Sequence, residues 1–154
     1  MERIQKEIEV DAPLSAVYNQ WTQFEEFPLF MEGVKSVKQL DDKFLAWHAE
    51  IMGQDVRWDA EITEQVPDNR IAWRSISGRP NAGAVYFNPA GPGRTRITLT
   101  LEYEPLGAAE KIADALGALS LRVEGDLRRF RHFIEERGVP TGGWRGEIHE
   151  DRVQ

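Results

Sequence analysis

A change of hydrophobic period is the feature that most constrains what this chain can fold into. From about Gly33 to Tyr103, apolar and polar residues alternate for roughly seventy residues, broken at short intervals by turn-forming groups such as "DD", "GQ", "PDNR", "SGRPNAG" and "NPAGPG". Past Pro105 and Gly107 the spacing becomes helical, with Ala109, Ile112, Ala113, Leu116, Leu119, Ser120, Val123, Leu127, Phe130 and Ile134 on one stripe. An antiparallel meander followed by one long helix is the pattern of an α+β domain, because the helix must bury its stripe against one face of the sheet.

The alternation predicts six strands, at roughly 34–41, 43–51, 55–66, 71–77, 83–88 and 94–104, and the helix is expected over about 108–137, ending at Gly138. Ahead of the meander, Ile4, Ile8 and Val10 mark a first strand, with Lys6 the one polar residue on its apolar side. "DAPLSAVYNQW" then predicts a helix capped by Asp11, with Pro13 in its first turn. "FEEFPLFM" continues as a second short helical turn bent at Pro28. Residues 1–138 are expected to form one domain. Residues 139–154, "VPTGGWRGEIHEDRVQ", have no period and are expected to be a flexible tail.

Within the meander, "WHAEIMGQDVRWDAEI" places His48, Glu50, Asp59 and Glu61 close together. A two-residue Gly53–Gln54 loop would pair residues whose numbers sum to 107. Ala49 would then face Trp58, Trp47 would face Ala60, and on the opposite side Glu50 would face Arg57 and His48 would face Asp59. A metal site here would have to tolerate Arg57 among its ligands, so the acidic cluster is read as the solvated, ion-paired face of a hairpin and no metal is expected. The same phase puts Asp59, Glu61, Arg57, Arg74, Arg96 and Glu102 outside. His132 lies on the charged side of the helix, so no Ser/His/Asp arrangement can be assembled.

The inward phase is nearly devoid of reactive groups. It carries Trp47, Ala49, Trp58, Ala60, Trp73, Ser75, Phe87, Leu99, Leu101 and Tyr103, where three tryptophans alternate with small residues. The helix section "ADALGALS", with Gly117, is also built from small side chains, a composition that leaves room for a ligand. A net charge of −7 disfavours nucleic acid as a partner. Zero cysteines exclude disulfides and thiolate chemistry. There is no apolar run of the roughly 20 residues a membrane span needs, and a cytoplasmic location is expected.

The segments "IEVDAPLSAVYNQWTQFEEFPLFMEGVKSV", "WDAEITEQVPDNRIAWRS" and "GRTRITLTLEYEP" resemble the START-like, pollen-allergen-like (SRPBCC) superfamily over about residues 2–137. The resemblance is to its bacterial polyketide cyclase/dehydrase and coenzyme-Q-binding-like branch. It implies a helix-grip fold, in which a curved seven-stranded antiparallel sheet wraps around a long C-terminal helix and two short helices lie between strands 1 and 2. It also implies a hydrophobic pocket between sheet and helix, opening near the bent second helix.

The leading functional expectation is a protein that binds a hydrophobic small molecule, such as a lipid, a quinone, a polyketide or another aromatic or isoprenoid compound. Its walls would come from Phe27 and Phe30, from Trp47, Ala49, Trp58, Ala60, Trp73, Ser75, Phe87, Leu99 and Leu101, and from Leu116, Leu119, Ser120 and Val123. A cavity of at least a few hundred Å³ is expected, with Ser75 and Tyr103 orienting the ligand's polar end and no cofactor. A second expectation is a polyketide aromatase/cyclase or dehydrase in which Ser75 or Tyr103 polarises a carbonyl. A third is an assembly module whose tail or sheet edge binds a protein partner, with homodimerisation left open.

Overall fold

The computed structural model describes residues 2–51, 53–104, 112–150 and 152–153, the side chains of 112–116 excepted. In chain order the elements are β1 (Glu2–Val10), α1 (Leu14–Trp21), a 3-10 helix (Phe24–Leu29), β2 (Val34–Gln39), β3 (Phe44–Ile51), β4 (Gln54–Val66), β5 (Arg70–Gly78), β6 (Asn81–Pro89), β7 (Thr95–Tyr103), α2 (Ile112–Arg137), β8 (Ile148–His149) and β9 (Arg152–Val153). Seven strands of the antiparallel sheet follow the order β1-β7-β6-β5-β4-β3-β2, the helix-grip arrangement, and the short β8 and β9 join it through β4. The expected first turn of the long helix, at 108–111, lies outside the described residues. Among the described residues no helix is long and apolar enough to cross a membrane.

The inward alternation and α2 meet as their periods require. Val123, Leu127, Phe130 and Ile134 are all buried, one helical turn apart, against Val85, Phe87, Ile97 and Leu99 of β6 and β7. Lys6, the polar exception on the apolar side of β1, reaches α2 and pairs with Glu124 at 2.8 Å. The first helix begins differently from expectation. Pro13 is its N-cap, with no side-chain cap bond, because the Asp11 carboxylate is turned to Arg94 Nε at 2.8 Å.

The β3–β4 hairpin is paired two residues away from the expected register. Ile51 pairs with Gln54, Trp47 with Trp58, and Leu45 with Ala60, so that partner numbers sum to 105 and Gly53 (φ 78°) belongs to the loop. A two-residue slip leaves every side chain on its expected face, which is why alternation alone could not distinguish the registers. It changes the pairs. His48 bonds Asp55 at 2.6 Å rather than Asp59, and Glu50 is joined to Lys35 at 3.5 Å rather than Arg57. The His48 hydrogen bond, aided by Lys35, holds Asp55 below the ordinary aspartate range.

Two further expectations change. Glu61 lies on the outward phase but is buried, 7% exposed, and bonded to Arg74 at 2.9 Å and Lys43 at 3.2 Å. Burial pushes its pKa up, but these two cations outweigh it and hold the carboxyl below its ordinary range. The segment after Gly138, expected to be a mobile tail, folds back over α1 and β4. Thr141 N donates to Gln20 Oε1 at 2.8 Å, Trp144 N to Thr22 Oγ1 at 3.1 Å, and Ile148 is fully buried opposite Gln65. These contacts join residues far apart in the chain, 121 and 122 positions for the two hydrogen bonds, so no local period announces them.

Candidate functional site

Between the sheet, the 3-10 helix and α2 lies a cavity of about 170 Å³, smaller than the few hundred Å³ expected. Its walls show why. Trp47 and Trp58, neighbours across the β3–β4 pairing, stack with ring centres 5.6 Å apart and planes within 8°. Phe27 closes on Trp47 at 5.8 Å, and Trp21 closes on Phe27 at 5.7 Å. Large rings thus occupy much of the space that the small residues leave. Trp73 projects from β5 over Gly83, where a Cβ would sit 2.9 Å from Trp73 Cη2 and 2.8 Å from the Thr100 carbonyl oxygen. Only a glycine admits the ring there.

The structure brings many of the expected wall residues together. Phe27, Trp47, Ala49, Trp58 and Trp73 line the cavity, as do Leu99 and Leu101 from β7 and Leu119 and Val123 from α2. Others are placed elsewhere. Phe30 packs on Phe130 and Phe133 at 5.2 and 5.3 Å, and Phe87 is enclosed by Tyr18 and Trp21 at 5.3 and 6.1 Å. Ala60 is buried in the sheet and Ser120 half-buried on the helix, neither at the cavity wall. The side chain of Leu116 lies outside the described residues. Gly117 and Ala118, counted among the small residues facing the pocket, are exposed.

The two expected polar anchors are also displaced. Ser75 Oγ donates to the Ser77 carbonyl at 3.2 Å, and Tyr103 sits half-buried at the end of β7, beside Glu2 and Asn81; neither lines the cavity. Burial, and after it the charge of Glu2, pushes the Tyr103 hydroxyl above its ordinary pKa.

The polar groups that do line the cavity are Glu32, Glu50, Asn81, Arg122 and Asp126. Two of these come from α2, and their signal was present in the sequence. Leu119, Arg122, Val123, Asp126 and Leu127 are spaced i, i+3, i+4, i+7 and i+8, one continuous helical face. Reading only the apolar members of that face hides the polar ones. Asp126 accepts the Glu32 backbone N–H at 2.9 Å and a guanidinium N–H of Arg129. Burial dominates its environment and pushes its pKa up to about 6, against the lowering pull of Arg129 and the Glu32 amide. Arg122 Nη1 donates to the Glu50 carbonyl at 3.0 Å. The guanidinium passes over Gly33 (φ 90°), where any Cβ would collide with it and lie 2.8 Å from the same carbonyl.

Exposed Glu32 and Glu50, with partly exposed Met31, Gly33, Ile51 and Arg122, form a solvent-facing rim. That rim adjoins the 3-10 helix. Among the described residues, no group of three or more His, Cys, Asp or Glu side chains is placed to hold a metal ion.

Sheet, gripped helix and intervening cavity define a START-like (SRPBCC) helix-grip protein. The family model described as "Polyketide cyclase / dehydrase and lipid transport" matches residues 10–131, and the chain belongs to that family. It is 44% identical over 149 residues to an uncharacterised 17.2 kDa protein of Streptomyces lincolnensis, covering 96% of this chain and 99% of that one. A crystal structure from Deinococcus radiodurans is similar with a TM-score of 0.71 and 30% identity, over 90% of this chain and 100% of that chain. The Zhui aromatase/cyclase from a Streptomyces species has the same fold, with a TM-score of 0.76 at 16% identity over 93% of this chain and 99% of that one.

Proposed function

We propose that this protein binds a hydrophobic small molecule in the cavity between sheet and α2, with an aromatic or quinone-like ring held against Trp47 and Trp58. The observation that carries this reading is a space walled by aromatic and aliphatic side chains and bordered by the polar Glu32, Glu50 and Arg122. An engineered cavity of about 150 Å³ with similar walls takes up a benzene-sized ligand, so about 170 Å³ suits one ring with a short substituent. A longer polyketide or isoprenoid chain would extend past the rim or require the rings to part.

Titration with a neutral single-ring compound such as propylbenzene or a short-chain quinone tests this. Saturable quenching or a shift of tryptophan emission is expected, together with a co-purifying hydrophobe in native mass spectra. Absence of both overturns the proposal.

Asp126 favours one further reading, acid–base assistance to a reaction of the bound molecule. A carboxyl with a pKa of about 6 at a cavity wall can exchange a proton near neutral pH. Turnover of a polyketide-like carbonyl substrate, lost in Asp126→Asn, would support it. No comparable observation favours the assembly module, since the segment carrying Trp144 and Ile148 packs within its own chain.

A further inference from the structure

The charged groups at the cavity rim are not equivalently satisfied. Glu32 is paired with Arg129 at 3.6 Å, Asp126 also bonds Arg129, and Glu50 is paired with Lys35 at 3.5 Å. Each carboxylate lining the cavity therefore already has a cation. Arg122 is the one cationic side chain among the described residues that line it; its charge acts on Asp126 one turn along α2, but no carboxylate among them lies within ion-pair distance. Its one hydrogen bond to those residues uses Nη1 and a neutral acceptor, the Glu50 carbonyl. A guanidinium has five N–H donors in a planar fork suited to a carboxylate, so most of its capacity remains.

Three features hold that fork at the cavity. Arg122 sits one residue before buried Val123, its Nη1 is tethered to β3, and Gly33 leaves the space it crosses. A ring lodged against Trp47 and Trp58 would present a short substituent toward this rim.

We infer that the ligand is amphipathic and acidic, an aromatic or isoprenoid body carrying a carboxylate or a similarly compact anion, and that Arg122 selects it by binding the anionic end at the rim. This rests on the binding reading above and narrows its ligand class. Arg122 is half-exposed, so the contribution is that of a partly solvated charge-assisted hydrogen bond, a preference of roughly five- to tenfold over a neutral isostere.

The test compares four probes of one size, 3-phenylpropionate, 3-phenylpropanamide, 3-phenylpropanol and 3-phenylpropylamine, by calorimetry at moderate salt on the whole chain. Wild type is expected to prefer the propionate over the amide and alcohol by that factor. Arg122→Gln should bring the ratio to about one, and Arg122→Lys should restore part of it. Lys38→Gln, which removes an exposed charge of β2 that neither lines the cavity nor pairs with a rim carboxylate, should leave the ratio unchanged. Because the readout is a ratio within each variant, a general loss of affinity or stability does not mimic the result.

Binding of all probes without preference, or preference for the amine, overturns the inference while leaving the binding reading intact. Failure of every probe to bind overturns both. A ratio that falls equally in Lys38→Gln and Arg122→Gln overturns the role of Arg122, since the general field of the protein would then account for the preference.

Discussion

The two halves of the space between sheet and helix have the same kind of residues and opposite outcomes. On the side toward α1, Tyr18, Trp21, Phe87 and Phe130 interlock edge to face with centroid distances from 4.9 to 6.1 Å. On the side toward β3, Trp47 and Trp58 lie parallel and a cavity remains. Edge-to-face rings fill space in three directions, whereas stacked rings present one flat wall and leave what lies opposite to be filled by something else. The C-terminal segment reinforces the contrast, since it folds back over α1 and β4, on the solid side.

The two halves should respond most differently to truncation of one large side chain in each. Phe130→Ala, at a fully buried position of the interlocked cluster, is expected to cost about 4 kcal/mol in denaturant unfolding. Leu101→Ala, half-buried beside the existing cavity, should cost less than about 2 kcal/mol. Equal costs would mean that the cavity collapses in solution and the two halves pack alike.

Ile148→Ala comes next. If the C-terminal segment closes the solid half, the loss should be about 2 kcal/mol by the same measurement, whereas a mobile tail would give none. Filling the hollow half should act on binding and spare stability. Ala49→Leu is expected to weaken a single-ring ligand more than about tenfold while shifting the unfolding midpoint little, since the added methyl groups enter vacant space. A variant that still binds normally would place the ligand elsewhere.

The smallest expected effect is electrostatic. Asp126 has a folded-state pKa of about 6 against an ordinary value of 3.8, so the native state holds its proton more tightly than the unfolded chain does. Its contribution to stability is therefore greatest below about pH 4 and declines as pH rises through about 6. Asp126→Asn should raise the melting temperature by roughly 2–4 °C near pH 8, with the gain shrinking toward pH 4. A gain independent of pH would separate it from this titration.

Much of the fold is legible locally. Strand limits were readable because turn residues punctuate a strict alternation, and β5, expected at 71–77, spans Arg70–Gly78. The tryptophans at the cavity wall were readable for the same reason. Gln65 was not, because a register irregularity between Ile62 and Glu64 shifts the strand's phase and turns this amide inward, to 1% exposure. Arg122 and Asp126 were hidden for another reason. They belong to an apolar helical face and were excluded by their charge alone.

By itself, then, the sequence determined which residues belong to strands and helices and which side of each faces inward, since those properties follow from neighbouring residues and a fixed period. Tertiary structure decided the hairpin register, the docking of residues 139–150, the exchange of Ser75 and Tyr103 for Arg122 and Asp126 as the polar groups at the cavity, and the volume left unfilled. Each of these depends on contacts between residues far apart in the chain, and a slip of two positions or a change in one ring's angle alters them without disturbing the pattern.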